Sequence, residues 1–148
     1  MIYFGLDLII FFIINLANII ISLIFISRVK RPELEHILGI FFISNGIPIL
    51  IILIINIFYQ RDWWFWLFPL IYLLFICYEF IFDYIKKVEF RNPINKKILI
   101  PYLILYYVSI ILMWGLTWTI GTLYGVITGI TYFLQLGCAI YAAKDGVG

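Results

Sequence analysis

The sequence predicts an all-α polytopic membrane protein, a bundle of five transmembrane helices, and three observations predict it. Hydrophobic residues make up 66% of the chain and charged residues only 12%, against about half and about 25% in soluble domains. A domain of this size has too much surface for its volume to hide that excess in a core, so lipid is the expected solvent. The apolar residues fall into runs of about 20, the length at which a helix crosses a hydrocarbon layer about 30 Å thick. Basic residues gather in alternate loops, the distribution that sets membrane topology.

The first span covers residues 5–26, with Arg28, Lys30 and Arg31 after it and no basic segment before it. A secretory signal shows the opposite charge order and a shorter apolar run, so this helix is expected to be retained. The second span, residues 37–59, contains Gly46 and Pro48. Pro48 lacks an N–H and is expected to kink or loosen it. The third, residues 64–85, stops at Lys86-Lys87. After a polar loop at residues 88–97, an uncharged stretch over residues 98–143 is too long for one crossing. Gly115, Thr117, Thr119 and Gly121 mark its only turn signals, which gives spans at 98–116 and 120–143. Strands of a barrel would alternate polar and apolar residues, whereas these runs are apolar on both parities. Residues 1–148 are thus expected to form a single transmembrane helical domain.

The loops set the expected direction. The first carries Arg28, Lys30 and Arg31; the third carries Lys86, Lys87, Arg91, Lys96 and Lys97; Lys144 follows the last span. The second has Arg61 beside Asp62, and the fourth has no charge. The positive-inside rule then puts the first and third loops and the C-terminus in the cytoplasm and the N-terminus outside. Trp63, Trp64, Trp66, Trp114 and Trp118 flank the second and fourth loops, as an aromatic belt at the outer interface would. A ligand-binding aromatic cage is the alternative.

Several function classes are disfavoured. A net charge of +2, with the basic residues confined to short loops, gives no reason to expect nucleic acid as a partner. Cys77 and Cys138 lie in apolar runs without CxxC spacing, and His36 has no His or Cys neighbour, so neither disulfide nor metal site is expected. No Gly-rich phosphate loop, GxSxG or HExxH is present. No cofactor is expected, and the chain leans away from enzymes.

Polar residues inside the spans carry what chemistry there is. Glu79 lies about two turns before Lys86, in the inner half of the hydrocarbon layer, where a carboxylate costs several kcal/mol unless protonated, paired or hydrated. Asp83 at i+4 and Tyr72 at i−7 share its face. These three are the candidates for a proton or cation site; the alternative is that Asp83 is interfacial and Glu79 holds a neighbouring span. The other spans carry polar stripes, with Asn15, Asn18 and Ser22 (Asp7 on the same side) on the first and Asn45 and Asn56 on the second. Tyr102, Tyr106, Ser109 and Met113 mark the fourth, and Tyr124, Thr128, Thr131 and Gln135 the fifth. Segregated stripes are expected to face the bundle interior, either lining a cavity or knitting helices. Gly121, Gly125 and Gly129, at spacing four, are candidate packing residues; their partner is a span of this chain or a second protomer. In the first loop Pro32, Glu33 and Glu35 suit the start of a helix.

Arg61-Asp62-Trp63-Trp64-Phe65-Trp66, Asp83-Tyr84-Ile85-Lys86-Lys87-Val88-Glu89-Phe90-Arg91-Asn92 and Tyr124-Gly125-Val126-Ile127-Thr128 resemble a family of small uncharacterised prokaryotic multi-pass membrane proteins. The resemblance runs from the first basic loop onward and implies the architecture and no activity. Five spans and many tryptophans are also similar to the tryptophan-rich sensory (translocator) proteins, but the Trp-x-Pro-Pro loop of that family is absent. Three functions follow in order of expectation, all in the cell membrane with the lipid bilayer as partner. The first is a structural or accessory component of a homo-oligomer or larger complex. The second is a small transporter or channel using Glu79 and Asp83. The third is a lipid-modifying enzyme whose site gathers Glu79, Asp83 and His36 at the cytoplasmic face.

Overall fold

The computed structural model describes residues 2–88 and 94–146, and among them there is no strand. Residues 89–93 of the third loop, Arg91 included, lie outside the described residues. The helices are α1 (Ile2–Lys30), α2 (Glu35–Ser44), α3 (Gly46–Phe58), α4 (Trp64–Glu79), α5 (Lys96–Ile120) and α6 (Thr122–Lys144). A 3-10 turn at Pro32–Leu34 precedes α2, and a π-helical turn at Phe80–Ile85 continues α4. They make up five spans long and apolar enough to cross a membrane: Tyr3–Lys30, Pro32–Phe58, Trp64–Ile85, Lys96–Ile120 and Thr122–Lys144. The chain is therefore an all-α, multi-pass membrane protein. Helices overrun the apolar runs because backbone hydrogen bonding continues into the headgroup region at little cost.

Contacts divide the chain into two compact units, Met1–Asn45 with Thr117–Gly148 and Gly46–Leu116. In the first unit α1 pairs with α6 and with α2. Ile10, Ile14, Ala17, Ile21 and Ile24 of α1 are buried, while Ile9, Phe12, Leu16, Ile19 and Leu23 on another face are exposed. Both faces are apolar, as expected where the solvent is hydrocarbon.

The α1–α6 pair runs parallel in a fixed register. The ring of Phe11 meets Tyr124 edge-on at 5.0 Å. Asn15 bonds Thr128 and Asn18 bonds Thr131 at 3.0 Å, both across a sequence separation of 113; Phe11 and Tyr124 are also 113 apart (124 − 11). A constant separation means that both helices advance in the same direction. Steps of four and three along each (11, 15, 18 against 124, 128, 131) are those of a left-handed helix seam. A first and a fifth span must run parallel, since an even number of crossings separates their starts.

Pro32 opens the 3-10 turn, with Leu34 N–H bonded to the Arg31 carbonyl at 3.0 Å. Glu35 then enters the first turn of α2 and accepts a 2.7 Å bond from Arg28 Nε at the end of α1. Arg28 also lies 5.3 Å from the centre of the Phe25 ring. The break in the second span falls at Asn45, three residues before Pro48. Pro48 has no N–H to offer the Ser44 carbonyl. Around the break Asn45 Nδ2 and Ser44 Oγ donate to the Phe41 carbonyl at 2.9 and 2.7 Å. Such side-chain bonds are how membrane helices tolerate proline.

In the second unit α3 packs on α4. Gly46 allows that approach, for a Cβ there would stand 3.3 Å from Ile76. Phe75, 1% exposed, sits against the rings of Tyr102 and Tyr106 at 5.6 and 5.4 Å, which joins α4 to α5. The Tyr78 hydroxyl donates to the Ile98 carbonyl at 3.0 Å and reinforces the same pair.

The expected turn between the last two spans is shorter than the sequence suggests. Gly115, Thr117 and Thr119 remain helical, and Gly121 alone separates α5 from α6. Its φ and ψ are both 158°, a region that is nearly exclusive to glycine. One residue thus joins the fourth span to the fifth.

Candidate functional site

The polar stripe of α1 meets that of α6. Asn15 Nδ2 donates to Thr128 Oγ1 at 3.0 Å and to the Phe11 carbonyl at 2.8 Å. Asn15 Oδ1 accepts from Thr131 Oγ1 at 2.8 Å, and Thr131 Oγ1 accepts from Asn18 Nδ2 at 3.0 Å. The Thr128 hydroxyl donates a hydrogen bond to the Tyr124 carbonyl at 3.0 Å. Ser22 bonds the Asn18 carbonyl at 2.8 Å. Asn18 and Thr128 are essentially inaccessible. Four side chains thus satisfy one another across a parallel seam, in a medium where an unmade hydrogen bond finds no water. Gln135, one turn beyond Thr131, is fully buried.

Asn56 does something else. It is fully buried near the end of α3, and its Nδ2 donates to the Phe65 carbonyl at 2.8 Å. Phe65 is four residues before Pro69, which lies inside α4. A proline cannot supply the N–H that this carbonyl would receive in an ordinary helix, so the amide of Asn56 takes its place. Arg61 completes the clasp. Its guanidinium bonds Asn56 Oδ1 at 3.2 Å and lies 3.6 Å from the centre of the Phe65 ring, while its N–H bonds the Asn56 carbonyl at 3.0 Å. The sequence offered a signal for this, since the carbonyl four residues before any intrahelical proline needs another donor. Asn45 bonds its own helix at Phe41 and has no part in the clasp.

Glu79 is the last residue of α4, half-buried, with Oε2 inaccessible. Tyr72 is 2% exposed on the same helix. Asp83 falls in the π-helical turn, where Lys86 N–H reaches back five residues to the Ile81 carbonyl at 2.8 Å. The widened turn changes the angular step between Glu79 and Asp83 from that of an α-helix. Around it Tyr78 stacks on Phe82 at 4.5 Å, and the Lys86 ammonium lies 5.1 Å from the Phe82 ring centre. Among the described residues no three His, Cys, Asp or Glu side chains gather as a metal site would require. His36 belongs to the first unit; Glu79 and Asp83 belong to the second.

The three glycines divide. Gly121 forms the reversal between α5 and α6. Gly125 and Gly129 are buried on α6, and the space beside Gly125 is taken by the indole of Trp118, whose ring carbons a Cβ would overlap. The close approach at Gly125 is therefore filled by a residue of the same chain.

No family model matches the chain, and no curated protein and no solved structure is similar to it.

Proposed function

We propose that the chain is a non-catalytic component of the cell membrane, a structural or accessory subunit of a homo-oligomer or larger membrane complex. The observation that supports this most is the closed Asn15–Thr128–Thr131–Asn18 network. It uses the most conspicuous polar residues of two spans for helix association and leaves them no ligand to serve. The clasp at Asn56 works in the same sense, repairing a proline-broken helix.

A second reading has one observation of its own. A half-buried carboxylate, Glu79, stands where α4 turns π-helical, and such turns are frequent at functional sites. On this reading Glu79 and Asp83 move a proton or cation. Reconstitution into proteoliposomes separates the two. The structural role predicts proton and cation flux no higher than in empty vesicles, with Glu79→Gln unchanged. It also predicts that Asn15→Leu weakens helix association by about 0.5–1.5 kcal/mol. Flux in the wild type that Glu79→Gln abolishes would establish transport instead.

The direction of insertion belongs to the same proposal. Arg28, Lys30, Arg31, Lys86, Lys87, Lys96, Lys97 and Lys144 lie beside the ends expected inside. A cysteine placed at Asp145, in a chain lacking Cys77 and Cys138, should react with an impermeant maleimide in inverted vesicles and resist it in intact cells. The reverse pattern would invert the topology.

A further inference from the structure

Toward the C-terminal ends of α1 and α6 the seam opens. A groove of about 460 Å³ lies there, walled by Ile26, Phe133, Leu134 and Cys138, with Lys30 and Tyr141 at its rim. Gly137 lines it, and nothing stands within 4 Å of where its Cβ would be. Phe133 and Leu134 are 61% and 55% exposed, so the groove opens outward rather than into a core. All its residues belong to the first unit.

What covers such a groove depends on where it lies. From Ile26 to Lys30 it follows about the last turn of α1, and from Phe133 to Tyr141 about two turns of α6, before the basic ends Lys30 and Lys144. That span is about 12 Å along α6, which places it in the outer part of one leaflet, just below the headgroups. Its walls are hydrocarbon and its rim is cationic. Arg28, in the same last turn of α1, is already held by Glu35 at 2.7 Å. Lys30 is exposed and forms no ion pair among the described residues. A lysine on a flexible stem at this depth reaches to the headgroup plane, and Tyr141, 41% exposed, offers a phenol at the same level.

We propose that this groove is a binding site for an anionic phospholipid. One acyl chain lies along Ile26, Phe133, Leu134 and Cys138 over Gly137, and the phosphate is held by Lys30. This rests on the membrane reading above but not on the direction of insertion or on the structural role. The apolar walls match an acyl chain, and the single unneutralised ammonium at the rim matches one negative headgroup. A zwitterionic lipid fits the groove equally well but gains nothing at Lys30.

The test is native mass spectrometry of the full chain released from nanodiscs made of equal phosphatidylglycerol and phosphatidylcholine. Retention of one lipid per chain is expected, with phosphatidylglycerol favoured about fivefold, the effect of one basic residue at a membrane surface. Lys30→Gln should bring that preference close to one while lipid is still retained. A Cβ at position 137 meets nothing within 4 Å, so Gly137→Leu should project into the groove and lose the retained lipid with helix content kept and the thermal midpoint not lowered. Equal retention of both lipids by the wild type, or a preference that survives Lys30→Gln, would overturn the site. So would a Gly137→Leu chain that keeps its lipid, or one that instead loses an oligomer, which would make the groove a seat for a second copy. Absence of flux or its presence in proteoliposomes bears on the functional proposal and leaves this outcome untouched.

Discussion

Replacing Gly125 by leucine is expected to lower the stability of the first unit by about 2 kcal/mol or more, read as unfolding in mixed detergent. Three ring carbons of Trp118 occupy the place where even a methyl group would go. Overpacking a filled site typically costs about 1–3 kcal/mol. The indole is half-exposed, so it has one escape, which is to swing outward and abandon the contact. Its fluorescence should then shift as its surroundings change. Gly125→Ala tests the geometry more finely, because truncating Trp118 to alanine in the same chain removes the obstacle. The double variant should therefore be less destabilised than the sum of the two single ones. Wild-type stability in Gly125→Leu would mean that the indole does not fill this space.

Asn56→Leu is expected to cost about 1–3 kcal/mol, because it leaves the Phe65 carbonyl without the Asn56 donor and removes one acceptor of Arg61. The cause can be isolated through Pro69. Pro69→Ala returns to α4 the N–H that the Phe65 carbonyl would otherwise receive, so the cost of Asn56→Leu should fall by about 1 kcal/mol in that background. Contacting groups couple, whereas independent sites add within about 0.5 kcal/mol. Simple additivity in this cycle would reject the idea that Asn56 stands in for the missing amide of Pro69.

The spans were legible because their signal is gross. Runs such as residues 37–59 are long and apolar enough to cross a bilayer, and charges at Arg28, Lys30, Arg31, Lys86 and Lys87 fall between such runs. Burial along the stripes is mixed: Asn18, Asn56, Ser109, Thr128 and Gln135 are buried, whereas Asn15, Tyr102, Tyr124 and Thr131 are only partly so. What each would do was not legible, because function lies in pairings across more than a hundred residues. Asn15 and Asn56 look alike in an apolar run, yet one joins two helices and the other mends one. The π-helical turn at Phe80–Ile85 was also hidden, for its side chains are compatible with an ordinary helix and the widening is decided by packing. At Gly115 and Thr117 local propensity misled. Glycine and threonine lower helix propensity only weakly, by about 1 kcal/mol or less each, and in lipid an unpaired backbone costs more than that.

The fixed register between α1 and α6 has a consequence in time. Partners 113 residues apart cannot meet until the fifth span has left the ribosome, which at about 5–20 residues per second comes roughly 6–23 s after the first. Through that interval Asn15 and Asn18 sit in the bilayer without the threonines that pair with them in the finished fold. A nascent chain that stalls before Thr128 leaves both amides without these two partners.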